Sequence, residues 1–507
     1  MRKNKKLNIL WISSDQHNAS CFGFEGRNVK TPTLDKLAEN GVVFKNAYCN
    51  NPVCAPSRIS FITGTYPRTH RCLGNFVFDV NESNLKTISY LARSNGYQTA
   101  LIGKGHMVNL WDKEGFEYIR YCDLCDSEIF NPLSCHYFKY LYDNGIADLY
   151  DQGDLPDGHP GKRTQTFISQ IPHKHSLEVW TANQTIEFLE NRDQHRPFFI
   201  LMSFQRPHAP IAPSFDKGLL YKPEDIDIPE NALDLFERKF ASKPDFQRQH
   251  IDKRKIYPYV AQSVEELKVL LTYYYTLITI IDEEIGRVVK FLEEKNLLEN
   301  TIIVYTSDHG DFAGEHGLLH KNLGIYESIH RIPFIIRYPG CPKGKIISEL
   351  VESIDLYPTL CDLTGIKVPA GVEGISIIPI IEENKEGKKE VFCEWYWSYP
   401  FDSVIAIRTK DFRMVYYGSN REGELYDLRV DKGELINQYN NPAYKDIRLS
   451  LVEKIVDYVS KYEKKTTFFS DKQKTEQLRL SPRILLHKMG KRWSDIEKIA
   501  SFSLKKE

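Results

Sequence analysis

The stretch LNILWISSDQ, Leu7–Gln16, is an apolar run that gives way abruptly to Ser13, Ser14, Asp15 and Gln16. Continuous apolar character without alternation is what a strand buried on both faces shows, and such strands belong to parallel sheets. Three further stretches repeat the design. QTALIGKGH ends in Lys104 and His106, RPFFILMSFQRPH ends in His208, and NTIIVYTSDHG ends in Asp308 and His309. Between them lie helical patterns: TLDKLAENGV, NLKTISYLARSNG and the long EELKVLLTYYYTLITIIDEEIGRVVKFLEEKN. This alternation predicts an α/β fold, a large mostly parallel sheet flanked by helices, with ligands bound beyond the carboxyl ends of the strands. All four polar clusters then fall on one sheet edge.

The chain has 507 residues, which is long for one simple core. A break in character at Glu382–Lys389 divides it into a large α/β domain, 1–381, which carries all four polar clusters, and a small C-terminal α+β domain, 390–463. In the latter VFCEWYWSY, SVIAIRTKDFRMVYYG and ELYDL read as strands, and DIRLSLVEKIVDYVSKYE as a closing helix. Residues 464–507, with RILLHKMGKRW, read as a basic helical tail that is solvated or caps a homo-oligomer. Net charge is −1, so nothing draws the whole molecule to nucleic acid or a membrane, and an anionic substrate must be recognised locally. The basic start MRKNKK precedes an apolar run too short for a signal peptide, and no stretch approaches the ~20 apolar residues of a spanning helix. The expected location is cytoplasmic, where the ten cysteines need not pair.

Cys54 stands in NNPVCAPSRISFITGTYPRTH, Asn50–His70. Pro52 and Pro56 are expected to hold the chain extended, with a helix starting at Ser57 whose N–H groups face residue 54. Arg58 adds fixed positive charge, so the spot suits an anion or a thiol of lowered pKa; a buried small apolar residue is the plainer reading.

CAPSR followed by TGTYPRTH resembles the signature of the type I sulfatases of the alkaline phosphatase superfamily. The block from Val29 to Arg58, ALIGKGH, TSDHGDFAGEHGLLHK and ELYDLRVDKGELIN are similar to the family's other landmarks, in order, over most of residues 7–460. The resemblance implies an alkaline phosphatase-like sheet and a sulfatase. It also implies that a maturation enzyme oxidises Cys54 to formylglycine. Hydrated, that group carries two hydroxyls: one attacks sulfur, and the other lets the covalent sulfate leave as the aldehyde re-forms.

On the same resemblance Asp15, Gln16, Asp308 and His309, with the matured Cys54, hold one divalent metal. Hard oxygen donors suit calcium. The family often has aspartate where this chain has Gln16 and asparagine where it has His309, which keeps magnesium and manganese open. Lys104, His106, His208 and Lys321 match positions that hold the sulfate oxygens and protonate the departing alcohol, and Arg58 orients the nucleophile. His320 and His316 lie close enough to Lys321 to compete with it. CDLCDSEIFNPLSCH offers Cys122, Cys125, Cys135 and His136 as a rival zinc site, but adjacent Cys135 and His136 suit tetrahedral ligation poorly. The expected substrate is a small sulfated molecule, a saccharide first, read by the loops at 148–167 and 394–402. The alternative within the superfamily is a phosphonate monoester or phosphodiester hydrolase, whose members tend to lack the Lys and His of GKGH.

Overall fold

A computed structural model describes residues 6–75, 77–78, 86–106, 115–123, 135–150, 164–252, 260–321, 323–395, 404–418 and 422–462. The strands, in chain order, are β1 (Asn8–Asp15), β2 (Val42–Tyr48), the hairpin β3 (Cys72–Gly74) and β4 (Val77–Phe78), β5 (Gln98–Gly103), β6 (Tyr118–Tyr121), β7 (Phe198–Pro207), β8 (Thr301–Ser307), β9 (Arg331–Ile332), β10 (Phe334–Arg337), β11 (Lys345–Glu352) and, in the C-terminal region, β12 (Glu390–Trp395), β13 (Val404–Thr409), β14 (Phe412–Tyr417) and β15 (Glu422–Asp427).

Nine of them form one sheet in the order β11-β2-β10-β8-β1-β7-β5-β6, with β9 paired to β2. The four strands expected from the apolar runs are the contiguous centre, β8-β1-β7-β5, all parallel. Along β1, Ile9 and Trp11 enter the core on one face while Leu10 and Ile12 enter the core on the other. That double burial is why the run shows no alternation. Helices Pro32–Glu39, Leu177–Asn191 and Val264–Glu294 cover one face. The shorter helices Cys54–Thr63, Ile88–Ser94, Leu356–Thr364 and Ile378–Glu383 cover the other.

The sheet is mixed, because β10 runs antiparallel to both β2 and β8. After β8 no crossover helix carries the chain back, so it returns directly from the same end, which permits only an antiparallel strand. The stretch SVIAIRTKDFRMVYYG is two strands, β13 and β14, paired antiparallel on either side of Lys410 and Asp411. β12–β15 form a separate four-stranded antiparallel sheet with the helix Lys445–Tyr462 on one face. Val404, Ala406, Val415 and Tyr417 on its other face merge with the main core. Among the described residues no helix is long and apolar enough to cross a membrane.

One buried ionic cluster fastens this small sheet to the segment leaving the site. Arg413, fully buried on β14, pairs with Glu327, with Glu434 (2.6 Å) and with His330 (2.9 Å). Arg413→Ala removes the ion-pair partner of Glu434 and leaves Glu327 only its longer contacts to Arg408 (3.4 Å) and Arg331 (3.8 Å). It is expected to cost about 3–5 kcal/mol, read as a lower urea midpoint at unchanged slope.

Candidate active site

Each central strand stops where its last residues can turn toward the same space. Asp15 ends β1, and Gln16 follows in the left-handed region at φ 65°, a strained backbone for a residue with a side chain. Its N–H donates to Asp308 Oδ1 (3.1 Å), and its carbonyl accepts from Tyr274 (2.7 Å). Gly103 ends β5 at φ 96°, and a Cβ there would lie 1.9 Å from the Ser203 carbonyl oxygen. Only glycine lets the chain pass this close to β7, and Lys104 is then held by its own N–H to that carbonyl (2.8 Å). His208 follows β7 and donates its N–H to the Asp15 carbonyl (3.1 Å). Its Nδ1 donates to Ala209 O (2.6 Å), which directs Nε2 outward from that bond. Asp308 and His309 follow β8.

Cys54 opens the helix Cys54–Thr63, three residues earlier than the sequence suggests. Pro56 falls in the first turn, where its missing N–H has no intrahelical partner to lose, so it does not hold the chain extended. Cys54 Sγ lies 3.1 Å from Lys321 Nζ, 3.2 Å from His309 Nε2 and 3.7 Å from Asp15 Oδ1, and His106 also hydrogen-bonds it. Burial pushes the thiol up, but Lys104, Lys321, His309 and the His106 hydrogen bond outweigh it and hold it well below its ordinary value. Likewise burial and Cys54 push the Asp15 carboxyl up, while Lys104, His208 and Arg58 bring it below the usual carboxylate range. Arg58 reaches across the cluster: Nε to Asp308 Oδ2 (2.9 Å), one terminal nitrogen to Asp15 Oδ2 (3.3 Å), the other to Ser203 Oγ (2.8 Å). Lys104 Nζ pairs with the same Asp15 oxygen.

The donor set fits a divalent cation. Ligand atoms of Asp15, Cys54, Asp308 and His309 all lie within 4.8 Å of one another, and all four residues are buried. His309 Nδ1 faces the Gly310 carbonyl (2.9 Å) and so carries the proton, leaving the Nε2 lone pair toward the cluster, the tautomer a metal-binding imidazole needs. Two carboxylates and an imidazole, with Arg58 balancing charge, could hold calcium, magnesium or manganese.

Comparison with known proteins agrees with this geometry. A family model described as Sulfatase matches residues 7–366, and one described as N-sulphoglucosamine sulphohydrolase, C-terminal, matches residues 314–461. An arylsulfatase of Clostridium perfringens is 32% identical over 468 residues, covering 89% of this chain and 94% of that protein. The chain belongs to the sulfatase family. It is a sulfuric ester hydrolase. An N-acetylglucosamine-6-O-sulfatase of Bacteroides thetaiotaomicron is 26% identical over 539 residues, covering 92% and 90% of the two chains. The phosphonate monoester hydrolase of Agrobacterium radiobacter superposes with a TM-score of 0.73 at 24% identity, over 90% of this chain and 96% of that one, a likeness of fold alone.

The sulfatase brings Asp15, Gln16, Cys54, Arg58, Lys104, His106, His208, Asp308, His309 and Lys321 to one edge of the sheet, and separates other residues from them. Lys321 Nζ is 2.7 Å from His309 Nε2, whereas neighbouring His320 turns its ring to Gln16 and to the Thr164 carbonyl (3.1 Å). Burial holds the His320 imidazole down at about 3, so it does not compete with Lys321 as a cation. His316 bonds Asp234 (2.9 Å) and packs on Tyr326, away from the cluster. The zinc rival does not assemble among the described residues: Cys122 and Cys135 hydrogen-bond each other, and His136 Nδ1 accepts from the Tyr121 N–H (3.1 Å). Cys125, most of the two expected specificity loops (151–163 and 396–402) and the tail 464–507 lie outside the described residues. Sequence reasoning passed over Asp123, whose carboxylate is 3.8 Å from His106 Nδ1 and helps raise that imidazole against its burial, and Asn75, which accepts the Ala55 N–H (3.0 Å) beside Cys54. Asp123 lies within the stretch whose three cysteines and His136 suggested a zinc site, a reading in which its carboxylate had no part.

Proposed function

We propose that this sulfatase hydrolyses sulfate monoesters of a sulfated sugar. The nucleophile is Cys54 matured to formylglycine, beside a divalent cation, calcium first, held by Asp15, Gln16, Asp308 and His309. The observation that carries the reading is Cys54 at a helix start with Sγ, standing for the hydrate oxygens, 3.1 Å from Lys321 and 3.2 Å from His309. When bound, the cation neutralises sulfate charge and favours the ionised nucleophile. The hydrate supplies one hydroxyl, which gives up its proton as it attacks sulfur and the S–O bond to the alcohol breaks. The second loses its proton as the C–O bond to sulfate breaks, and the aldehyde so formed adds water to restore the hydrate.

The chain's own groups do the rest. Lys104 and Lys321 surround the nucleophile with cations that hold the sulfate oxygens. Arg58 spans both carboxylates and keeps their charge from repelling the anion. His106, hydrogen-bonded at position 54, takes the proton of the second hydroxyl. His208, half-buried where the four strand ends converge, gives a proton to the departing alcohol. The similarity to an N-acetylglucosamine-6-O-sulfatase supports a sugar as that alcohol.

Matched aryl esters test the reaction class: kcat/KM for the sulfate monoester is expected to exceed that for the phosphate diester or phosphonate monoester. Lys104→Ala should cost the sulfate more than the diester, which has fewer non-bridging oxygens for that lysine to hold. A faster diester or phosphonate would replace the reading with the phosphonate hydrolase alternative. Sulfated mono- and disaccharides run beside choline sulfate then test the sugar.

A further inference from the structure

The Gln16 amide has two ends, and only its oxygen can bind a hard cation. We propose that Asp311 and His320 clamp this amide so that Oε1 is the end offered to the cation. The proposal rests on the cation reading above and adds two positioning residues to it.

Two contacts fix the amide independently. Gln16 Nε2 lies 2.6 Å from Asp311 Oδ2, and a carboxylate accepts only from the NH2 end. Gln16 Nε2 also lies 3.3 Å from His320 Nδ1. The other ring nitrogen, Nε2, faces the Thr164 carbonyl at 3.1 Å and so carries the proton, leaving Nδ1 as a bare lone pair that accepts from an N–H. Both hydrogens of the amide are thereby used, and rotating it by half a turn would set its oxygen against a carboxylate and a lone pair. Asp311 is itself fixed, because Oδ1 accepts the Ala313 N–H (2.6 Å) and the His320 N–H (3.1 Å). All three residues are buried, so water does not replace these bonds. Through His320 the clamp also ties Gln16 to Thr164, whose segment runs beside Ile211 and Ser214 just past His208.

Asp311→Asn inverts the clamp. The asparagine oxygen stays on the Ala313 and His320 N–H groups, so its NH2 faces Gln16 and turns the glutamine nitrogen toward the cation. Calorimetric titration of the metal-depleted full chain with Ca2+ should give ~10–100-fold weaker binding, the usual loss on removing an outer partner of a ligand. His320→Ala, which leaves Asp311 in place, should lose less. Gln16→Glu with Asp311→Asn keeps the total charge, restores a donor facing an acceptor and offers oxygen whichever way it turns, and should recover most of the loss. The proposal falls if Asp311→Asn binds as wild type, or if the double variant does no better than Asp311→Asn. Should Asp311→Asn fail to fold, His320→Ala decides, since it frees one hydrogen of the amide while leaving Asp311 in place: Ca2+ affinity equal to wild type there overturns the clamp. Failure of the wild-type chain to bind Ca2+, Mg2+ or Mn2+ would overturn the cation reading itself, a result distinct from normal binding with an indifferent clamp.

Discussion

Cys54→Ala is expected to lower kcat/KM for a sulfate ester by at least ~10⁴-fold, the scale of losing a nucleophile that acts as one unit with its partners. The fold should survive, because residue 54 is a buried first position of a helix, where alanine is small and helix-favouring. Cys54→Ser separates two parts of the mechanism. A hydroxyl so close to Lys321 and His309 can attack sulfur, but it has no second hydroxyl on the same carbon to expel the sulfate. The expected record is a single burst of alcohol, stoichiometric with enzyme, followed by arrest, with sulfate retained on the peptide. Mass spectrometry of the peptide spanning Cys54, from cells co-expressing a formylglycine-generating enzyme, should find the thiol replaced by the aldehyde or its hydrate. An unmodified thiol in fully active protein would sink the mechanism.

Removing the cation is the second large effect. Asp15 and Asp308 place two carboxylates in a water-poor cluster beside the nucleophile, and an anionic sulfate must approach them. Arg58 and Lys104 offset part of that charge, and on the proposed mechanism a bound cation would supply the rest and help orient the attacking hydroxyl. Exhaustive chelation is expected to lower turnover by at least ~10³-fold, comparable to losing a principal electrostatic stabiliser. Calcium should restore it more fully than magnesium or manganese. An ion that binds only the folded chain would, at 100 times its Kd, also add about 2.7 kcal/mol to stability, expected as a rise in Tm that chelator reverses. A metal-free preparation with full activity would remove Asp15, Gln16, Asp308 and His309 from the site.

Much of this site was legible before any coordinates, for a local reason. A strand buried on both faces writes a continuous apolar run, and the residue at which the run stops marks the sheet edge. β1, β5, β7 and β8 therefore announced Asp15, Lys104, His208 and Asp308 one after another, and the C-x-P-x-R signature supplied Cys54 and Arg58. Local sequence also set the long helix Val264–Glu294, through its periodicity. What it did not decide was every question of contact between segments distant in the chain. The direction of β10 followed from a return path without a crossover helix. Which of Lys321 and adjacent His320 stands beside Cys54 and His309 followed from the tertiary packing, which turns His320 to Thr164 instead. The orientation of the Gln16 amide depends on Asp311 and His320, about three hundred residues away. Apolar patterning dictates where a strand ends because it depends on neighbours in sequence; which atom of a side chain faces the chemistry depends on partners that only folding brings within hydrogen-bonding reach.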